Sequence, residues 1–456
     1  MSDTSEKILI LPDFIDNRTM GWFQIRTALI CGIVMFLDGF DTQMIAYVAP
    51  FVGREWGLDN EALGSLFSAS LLGLMIGYLA VAPFADRIGH KRMIVATVLG
   101  TSIFVLLASF ATNVNELMIA RFITGIGLGG VIPSAITLAS EYSPKRLRAT
   151  IVLAIFVGYS LGFVVAGLVS GWLIPTYGWA SIFLIGGVMT LAAVPITFFF
   201  LPDSIALQIR KGKNIRGVKN ILCRIDPTLT DDFIPTLEMP NIDAGEKKQM
   251  PVMGLFKPSL LVGTLLLWVV FSVNLGEFYA LQSWLPIIIE KQGFVMDMMV
   301  KGTSITTVGG IVAAFIIGPS MDRLNPYNVL AMLYLLGFFC LLIFGYSFQS
   351  APWVMLLSSF FVGFCVSGGQ KSVVALSAIF YPHEIRAAGV GWALGIGRIG
   401  AIAGPLIVGT YMDPSWPPTT IFSLMAFPML FLSCGIFFLG KVVDRRNAAY
   451  VSKNIQ

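Results

Sequence analysis

Residues 179–201 read WASIFLIGGVMTLAAVPITFFFL, twenty-three residues without a charged side chain. About 20 apolar residues in an α-helix are enough to cross the hydrocarbon core of a bilayer. Working outward from this segment in both directions, we find eleven further apolar stretches of comparable length. The twelve predicted membrane spans are 27–50, 62–85, 93–112, 117–140, 149–173, 179–201, 260–287, 303–321, 328–347, 352–378, 388–411 and 419–440.

The composition agrees with a chain that folds in lipid. Apolar residues make up 56% of the sequence and charged residues only 12%, whereas soluble domains carry about 25% charged residues. The only compact basic run, residues 210–213, is too short to predict nucleic-acid binding. The five cysteines show neither metal-ligand spacing nor a disulfide framework. We therefore predict an all-α integral membrane protein that needs no metal and no cofactor.

The basic residues predict the orientation of the chain. If the N-terminus is cytoplasmic, all but six of the 30 lysines and arginines fall in cytoplasmic loops or termini. Only Arg54, Lys291 and Lys301 fall in outer loops, and three more lie within spans. Cytoplasmic loops of membrane proteins are enriched in basic residues, so we expect both termini to be cytoplasmic.

The two halves of the chain repeat each other at an offset of 236 residues. The offset matches Asp41 with Glu277, Pro50 with Pro286, and Pro83 with Pro319. A parallel repeat of two six-helix units places a binding site between the units near the bilayer midplane. The predicted organisation is an N-terminal segment 1–26, a six-helix bundle 27–201, a cytoplasmic linker 202–258, a second bundle 259–440 and a C-terminal segment 441–456.

A short motif at the end of the second span recurs at the end of the eighth. Residues 82–91 read APFADRIGHK, and residues 318–323 read GPSMDR. The first resembles the loop signature of the major facilitator superfamily, with Ala82 and His90 departing from it. The resemblance implies that the aspartate pairs with a cation and holds one conformation, although a plain loop that fixes topology is the alternative. The predicted gating residues are Asp86, Arg87, Asp322, Arg323, Glu141, Arg148 and Arg386.

Ionisable residues inside membrane spans are costly, and each one is therefore a candidate functional group. Asp38 and Asp41 lie three residues apart and share one face of the first span. Arg121 could pair with either aspartate, and Glu277 is the repeat partner of Asp41. Both histidines fall in predicted loops, so carboxylates would have to carry any coupled proton. The predicted proton-coupling set is Asp41, Asp38, Arg121 and Glu277, with a fixed structural ion pair as the alternative for Asp41 and Arg121.

Three further stretches narrow the resemblance to the aromatic acid:proton symporter family. They are DGFDT at 38–42, SWLP at 283–286 and FYPHEIRAAGVGWALGIGRIGAIAG at 380–404. The resemblance spans nearly the whole chain apart from the linker. It implies a monomeric bacterial inner-membrane symporter that imports benzoate, hydroxybenzoate or chlorophenoxyacetate type acids together with protons.

An aromatic carboxylate needs a cation and an apolar slot for its ring. Lys371 and Arg398 are the available cations of the second half, and arginine can bind a carboxylate through two hydrogen bonds. A structural ion pair with Glu277 is the alternative role for both. The predicted ring contacts are Phe40, Tyr47, Tyr159, Phe278, Phe364 and Trp392, each of which could instead serve helix packing.

Two other functions remain open at this point. A proton-coupled exporter of this superfamily would usually carry a Gly-Pro pair in the fifth span, but residues 158–171 contain glycines and no proline. A transporter-like ligand sensor would need an output module, for which the linker is short. An enzyme is not expected, because the sequence shows no nucleophile with a base and no metal cluster.

Overall fold

The computed structural model describes residues 7–16, 18–210, 215–226, 229, 233–236, 253–382, 385–413 and 415–454. The side chains of Asp86 and Arg386, two of the predicted gating residues, lie outside what is described. Within these ranges, twelve helices are long and apolar enough to cross a membrane. The prediction of a helical membrane protein with twelve spans is therefore confirmed.

The helices extend beyond the predicted apolar spans, because backbone hydrogen bonding continues where the side chains become polar. In the first half the elements are β1 (Lys7–Ile10), α1 (Leu11–Asp16), α2 (Trp22–Trp56), α3 (Asn60–Ile76), α4 (Ala85–Ile88), α5 (His90–Ala108), α6 (Val114–Glu141), α7 (Lys145–Tyr177) and α8 (Ala180–Phe200). A π-helical turn, Gly77–Val81, and a 3₁₀ turn, Ala82–Phe84, continue α3.

The linker and the second half follow the same numbering. The linker holds α9 (Ile205–Arg210), α10 (Ile215–Ile225), β2 (Phe233–Thr236) and a 3₁₀ turn, Met253–Phe256. The second half consists of α11 (Pro258–Lys291), α12 (Met296–Arg323), α13 (Pro326–Ser347), α14 (Pro352–Phe380), α15 (Arg386–Tyr411) and α16 (Pro418–Asn454).

The two halves use the same helix packing. In the first half, α2 packs on α7, α3 on α6, and α5 on α8. In the second half, α11 packs on α15, α12 on α14, and α13 on α16. Equivalent close contacts leave no room for a Cβ at Gly125, which lies against the carbonyl of Ser70, or at Gly363, which lies against that of Thr306. The repeat seen in the sequence is thus a repeat of structure.

The two halves are joined firmly at one end of the bundle, which we call the sealed end (Arg54, Asn60, Glu290, Lys291 and Met412). Arg54 Nη1 lies 2.7 Å from Glu290 Oε1. Lys291 Nζ donates to Asn60 Oδ1 at 3.2 Å, and Asn60 Nδ2 donates to the Met412 carbonyl at 3.0 Å. In the described part of the chain, the hydrogen bonds between the halves run from this end to the middle of the bundle. The first residue of α2, Trp22, and the last residue of α16, Asn454, lie toward the opposite end, which carries the described parts of the terminal segments.

The linker is more regular than the sequence indicated, and it packs on the first half. Leu11, Phe14 and Ile15 of α1 are buried together with Val218 and Leu222 of α10. The strands β1 and β2 pair in parallel, with Lys7 opposite Phe233. Residues 237–252 of the linker lie outside the described ranges.

Candidate functional site

A buried ion pair joins the first and fourth membrane helices. Arg121 Nη1 donates to Asp41 Oδ1 at 2.7 Å, and Nη2 donates to the backbone carbonyl of Asp41 at 3.0 Å. The Arg121 side chain is fully buried. Asp41 Oδ2 and Arg121 Nε have no partner of their own. The prediction that Arg121 pairs with Asp41 agrees with this geometry, and the guanidinium holds the aspartate from two sides.

Asp38, one turn before Asp41, has a looser environment. Its Oδ1 accepts from Thr42 Oγ1 at 3.5 Å, and its Oδ2 is buried without a hydrogen-bond partner. The charges that act on it come from Asp41, from Arg398 in the other half, and from Arg121. Asp38 is therefore the carboxylate of the first half that faces the second half.

Arg398, on α15, lies between two tyrosines from different halves. Its Nη1 donates to the Tyr279 hydroxyl at 3.2 Å, and its Nη2 donates to the Tyr78 hydroxyl at 3.4 Å. Its Cζ lies 5.0 Å from the centre of the Tyr78 ring. None of the described carboxylates lies within salt-bridge distance of it. The guanidinium is thus held by neutral groups and keeps its charge available for an anion.

Tyr159 lies near Arg398, and Phe278 packs on Tyr279, one of the two tyrosines that bind Arg398. Tyr159, on α7, interacts with Tyr279, Asp38 and Thr42. Phe278 packs against Tyr279, with ring centres 5.1 Å apart. We call Asp38, Thr42, Tyr78, Tyr159, Tyr279 and Arg398 the central cluster. It joins elements of both halves, as the repeat predicts.

Tyr78 and Tyr279 were not among the residues predicted from the sequence. A signal for Tyr279 was present, because it is a polar residue directly after Glu277 and Phe278 in an apolar helix. Tyr78 carried a weaker signal, because its direction depends on the π-helical turn at Gly77–Val81. Apolar periodicity does not predict where such a turn occurs.

Glu277 is buried on α11, and its Oε1 has no hydrogen-bond partner. Gly125 and Gly363 make equivalent contacts in the two halves. Arg121 lies four residues before Gly125, and Ser359 lies four residues before Gly363, so Ser359 occupies the position equivalent to Arg121. Ser359 is buried and donates to the Met355 carbonyl at 2.8 Å. The second half therefore has a carboxylate, Glu277, equivalent to Asp41, but it has no cation equivalent to Arg121. Within the described residues, no ion pair joins Glu277 to Lys371 or Arg398.

Lys371 is half-buried on α14 and forms no hydrogen bond or ion pair with the described residues. The structure does not bring it into contact with the central cluster. Its predicted role in substrate binding therefore stays a prediction.

The other predicted ring contacts lie in different surroundings. Phe40 is buried against α8 beside Gly186, and Tyr47 is fully buried next to Gly167 and Ser304. Trp392 is 45% exposed and stacks on Trp268. Phe364 is half-buried and packs against the main core. None of these four contacts Arg398 by a described ring or hydrogen-bond interaction.

The predicted gating residues lie at the end that carries the termini. Asp322 and Arg323 are exposed, and Arg87 is exposed with its Cζ 5.8 Å from the Phe84 ring centre. Arg148 Nη2 lies 3.9 Å from Asp16 Oδ1. Glu141 accepts from the backbone N–H of Ala206 at 2.6 Å and from Ser204 Oγ at 2.7 Å, so it binds the start of α9.

Comparison with known sequences identifies the family. The sequence profile of the Major Facilitator Superfamily matches residues 31–405 and 302–454. The chain belongs to the Major Facilitator Superfamily. Among solved Major Facilitator structures, the chain resembles the partially occluded, inward-open xylose transporter XylE from E. coli, with a TM-score of 0.68 at 17% identity over 91% of this chain and 97% of that one. At this identity the likeness supports the fold alone.

Within the Major Facilitator Superfamily, the chain is a member of the aromatic acid transporter family. It is 38% identical over 93% of its length to the 4-hydroxybenzoate transporter PcaK of Acinetobacter baylyi, covering 92% of that protein. It is 34% identical to the gallate transporter of Pseudomonas putida, covering 91% of this chain and 92% of that one. The benzoate transport protein of Acinetobacter baylyi is 29% identical over 95% of this chain and 92% of its own length. The resemblance predicted from residues 38–42, 283–286 and 380–404 is thus confirmed.

Proposed function

We propose that this protein is a proton-coupled symporter that imports an aromatic carboxylate across the bacterial inner membrane. Relatives that carry 4-hydroxybenzoate, gallate and benzoate by name support an aromatic carboxylate as the substrate. The observation that carries the proposal is the position of Arg398 between the halves, bonded only to tyrosine hydroxyls and facing Asp38.

Arg398 is the proposed counterion of the substrate carboxylate. Taking a carboxylate out of water is costly unless a cation or several donors replace the lost hydration. The hydroxyls of Tyr78 and Tyr279 hold the guanidinium without neutralising it. Tyr159 lies near the guanidinium, and Phe278 packs against Tyr279. We propose that these two rings offer flat apolar faces to the benzene ring of the substrate.

Charge balance supports one proton for each substrate monoanion. Asp38, Asp41, Arg121 and Arg398 carry two negative and two positive charges when all are ionised. A bound monoanion adds one negative charge, and a proton on one carboxylate restores neutrality. Because Arg121 holds Asp41 in two hydrogen bonds, Asp38 is the carboxylate that we expect to take this proton.

Energetics favour symport for uptake. A monoanion entering a negative-inside cell moves against about 2.3 kcal/mol per 100 mV of membrane potential. One co-transported proton cancels that charge and adds the free energy of the pH gradient, about 1.4 kcal/mol per unit. If the sealed end faces outward, as the basic residues predict, we infer that the substrate leaves the central cluster toward the cytoplasm in this state.

The test is uptake of labelled 4-hydroxybenzoate, benzoate and gallate into proteoliposomes with an alkaline interior. We expect accumulation above equilibrium that a protonophore abolishes, with substrate-dependent proton influx reported by an internal pH dye. Uptake that is equal with and without the gradient would rule out proton coupling. An exporter would instead lower substrate accumulation when it is expressed in intact cells.

A further inference from the structure

A surface cavity lies away from the central cluster, where α2 begins and the linker helix α10 ends. Its volume is about 320 Å³, within the range of ligand pockets in proteins. Basic, aromatic, amide and aliphatic residues line it together with one glycine, namely Gly21, Trp22, Phe23, Gln24, Arg26, Arg224 and Ile225. Nothing in the proposed transport cycle uses this cavity.

The cavity has two arginines and no acidic lining residue. Arg26 is half-buried, with its Cζ 5.2 Å from the ring centre of Phe23 and 5.8 Å from that of Phe200. Its Nε is buried and has no hydrogen-bond acceptor. Arg224 is exposed, and neither arginine pairs with a carboxylate of the described residues. Two arginines and no acidic residue give the lining a net positive charge, so the cavity suits a ligand that is an anion.

The cavity lies at the boundary between the polar and the apolar surface. Trp22, at its rim, is 71% exposed. Three large apolar side chains continue from it along one face of α2 and are also exposed: Ile25, Leu29 and Ile33. Tryptophan is enriched at the headgroup level of membranes. An acyl chain leaving the cavity would therefore find an apolar track along α2.

The linker helix α10 packs its apolar face on the first half and turns a basic face outward. Val218 and Leu222 are fully buried against the first half. The opposite face exposes Arg216, Asn220 and Arg224, which follow one another at intervals of four residues. Its charged side chains, those of Arg216, Lys219 and Arg224, are all basic. Clustered basic residues close to a membrane surface attract anionic lipid headgroups.

We propose that this cavity binds the phosphodiester headgroup of an anionic phospholipid. The phosphate lies between Arg26 and Arg224, since arginine binds phosphate through paired N–H donors. One acyl chain follows Ile25 and Leu29 along α2. The apolar track distinguishes a lipid from free phosphate, and the proposal does not depend on which substrate the transporter carries.

The test is native mass spectrometry of the full-length protein with phosphatidylglycerol added in a mild detergent. We expect wild type to retain one phosphatidylglycerol molecule in preference to phosphatidylcholine. The double variant Arg26→Gln with Arg224→Gln should lower the apparent affinity at least tenfold, and the corresponding double lysine variant should recover part of it. The matched control is Lys441→Gln, which removes an exposed basic residue that also lies over an aromatic ring but does not line this cavity. It should stay within about twofold of wild type, a difference well below 1.4 kcal/mol.

Three outcomes would overturn the proposal. The first is equal retention of phosphatidylglycerol by wild type and by the double glutamine variant, provided that both bind the aromatic acid equally, which shows that the variant is folded. The second is equal retention of phosphatidylcholine by wild type, which would remove the role of charge. The third is displacement of the lipid by inorganic phosphate at equal concentration, which would make this a site for the free anion. If the double glutamine variant fails to fold, the single variants Arg26→Gln and Arg224→Gln decide the question by the same comparison.

Discussion

At the scale of single residues, the contrast between Arg121 and Arg398 separates two tasks. Both are arginines in membrane helices, but Arg121 is bonded to Asp41, whereas Arg398 is bonded to tyrosine hydroxyls. A guanidinium that is already paired with a carboxylate has little attraction left for a second anion. We therefore expect Arg398 to bind substrate and Arg121 to position Asp41.

We predict that Arg398→Ala weakens binding of the aromatic acid at least tenfold, about 1.4 kcal/mol. The amide of the same acid should bind poorly to wild type and lose little more in the variant, because it lacks the charge that Arg398 neutralises. Lys371→Ala tests the other predicted cation in the same way, and a loss for the acid alone would assign the carboxylate to Lys371 as well, although Lys371 has no described contact with the central cluster. Equal losses for acid and amide, measured by calorimetry, would assign Arg398 to the scaffold.

We predict that Asp38→Asn abolishes accumulation driven by a pH gradient, while exchange of labelled for unlabelled substrate survives. The asparagine keeps the shape and the contact with Thr42 but cannot gain or lose a proton. Asp41→Asn should differ, because it leaves the buried Arg121 without its carboxylate, a change that typically costs about 3–5 kcal/mol in stability. Wild-type accumulation by Asp38→Asn would point to Glu277 as the coupling group, since its Oε1 is also buried without a partner.

The sequence predicted Asp38, Arg398 and Tyr159 of the central cluster but not Tyr78 and Tyr279. Charged residues are rare in apolar spans, so Asp38 and Arg398 stand out one by one. Tyrosines are common in membrane helices, and only the crossing of α3 with α15 brings Tyr78 to Arg398. That crossing depends on side-chain packing between segments more than 300 residues apart in the chain, which no local pattern encodes.

At the scale of elements, the linker is tied to the first half through Glu141. Both carboxylate oxygens of Glu141 accept hydrogen bonds from the start of α9. The neighbouring Tyr142 donates its hydroxyl to the Asp203 carbonyl at 2.5 Å. Burial, followed by the negative charge of Glu141, raises the pKa of Tyr142, so the hydroxyl stays protonated and remains a donor.

We predict that Glu141→Ala loosens α9 without impairing substrate binding. The variant leaves the Ala206 amide without its acceptor, and an unsatisfied buried donor costs about 1–3 kcal/mol. Hydrogen exchange of the peptide 201–210 should speed up, and Tm should fall by a few degrees. Glu116→Ala is a suitable control, because that exposed glutamate caps a helix at the other end of the bundle. Unchanged exchange in 201–210 would contradict this role of Glu141.

The elements themselves were predictable to different degrees. The membrane helices can be predicted from the length of the apolar segments. Inside lipid, a single segment can pair all its backbone N–H and C=O groups only by forming a helix. The helices α9 and α10 are short and polar on one face, so only their burial against α1 and the first half stabilises them. From its sequence alone, a linker of this kind shows no clear helices, because the surface on which they pack is not known.

At the scale of the whole molecule, the two halves meet most closely where α3 crosses α15. A Cβ added to Gly64 would lie 2.9 Å from the Pro405 carbonyl oxygen and 3.3 Å from the Cα of Gly409. A larger side chain at this position would hold the two halves apart at the sealed end. Alternating access requires this end to close in one state and to open in the other.

We predict that Gly64→Leu lowers transport at least tenfold while equilibrium binding of the aromatic acid is largely kept. The leucine disfavours only the state in which the sealed end is closed, and the central cluster is left intact. Gly100→Leu is the matched control, because nothing lies within 4 Å of a Cβ at Gly100. If Gly64→Leu transports like wild type, close contact between α3 and α15 at the sealed end is not needed for transport.

The pairing of β1 with β2 has a consequence for how the chain is made. Lys7–Ile10 leaves the ribosome first, but its partner Phe233–Thr236 is synthesised only after the six membrane helices of the first half. At about 5–20 residues per second, the first strand waits on the order of ten seconds or more for the second. Once it pairs, the first half is complete before α11 emerges. An affinity tag fused before Lys7 leaves this interval unchanged, but the tag lies next to β1 while the strand waits for its partner, whereas fusion at the C-terminus keeps the tag away from the pairing.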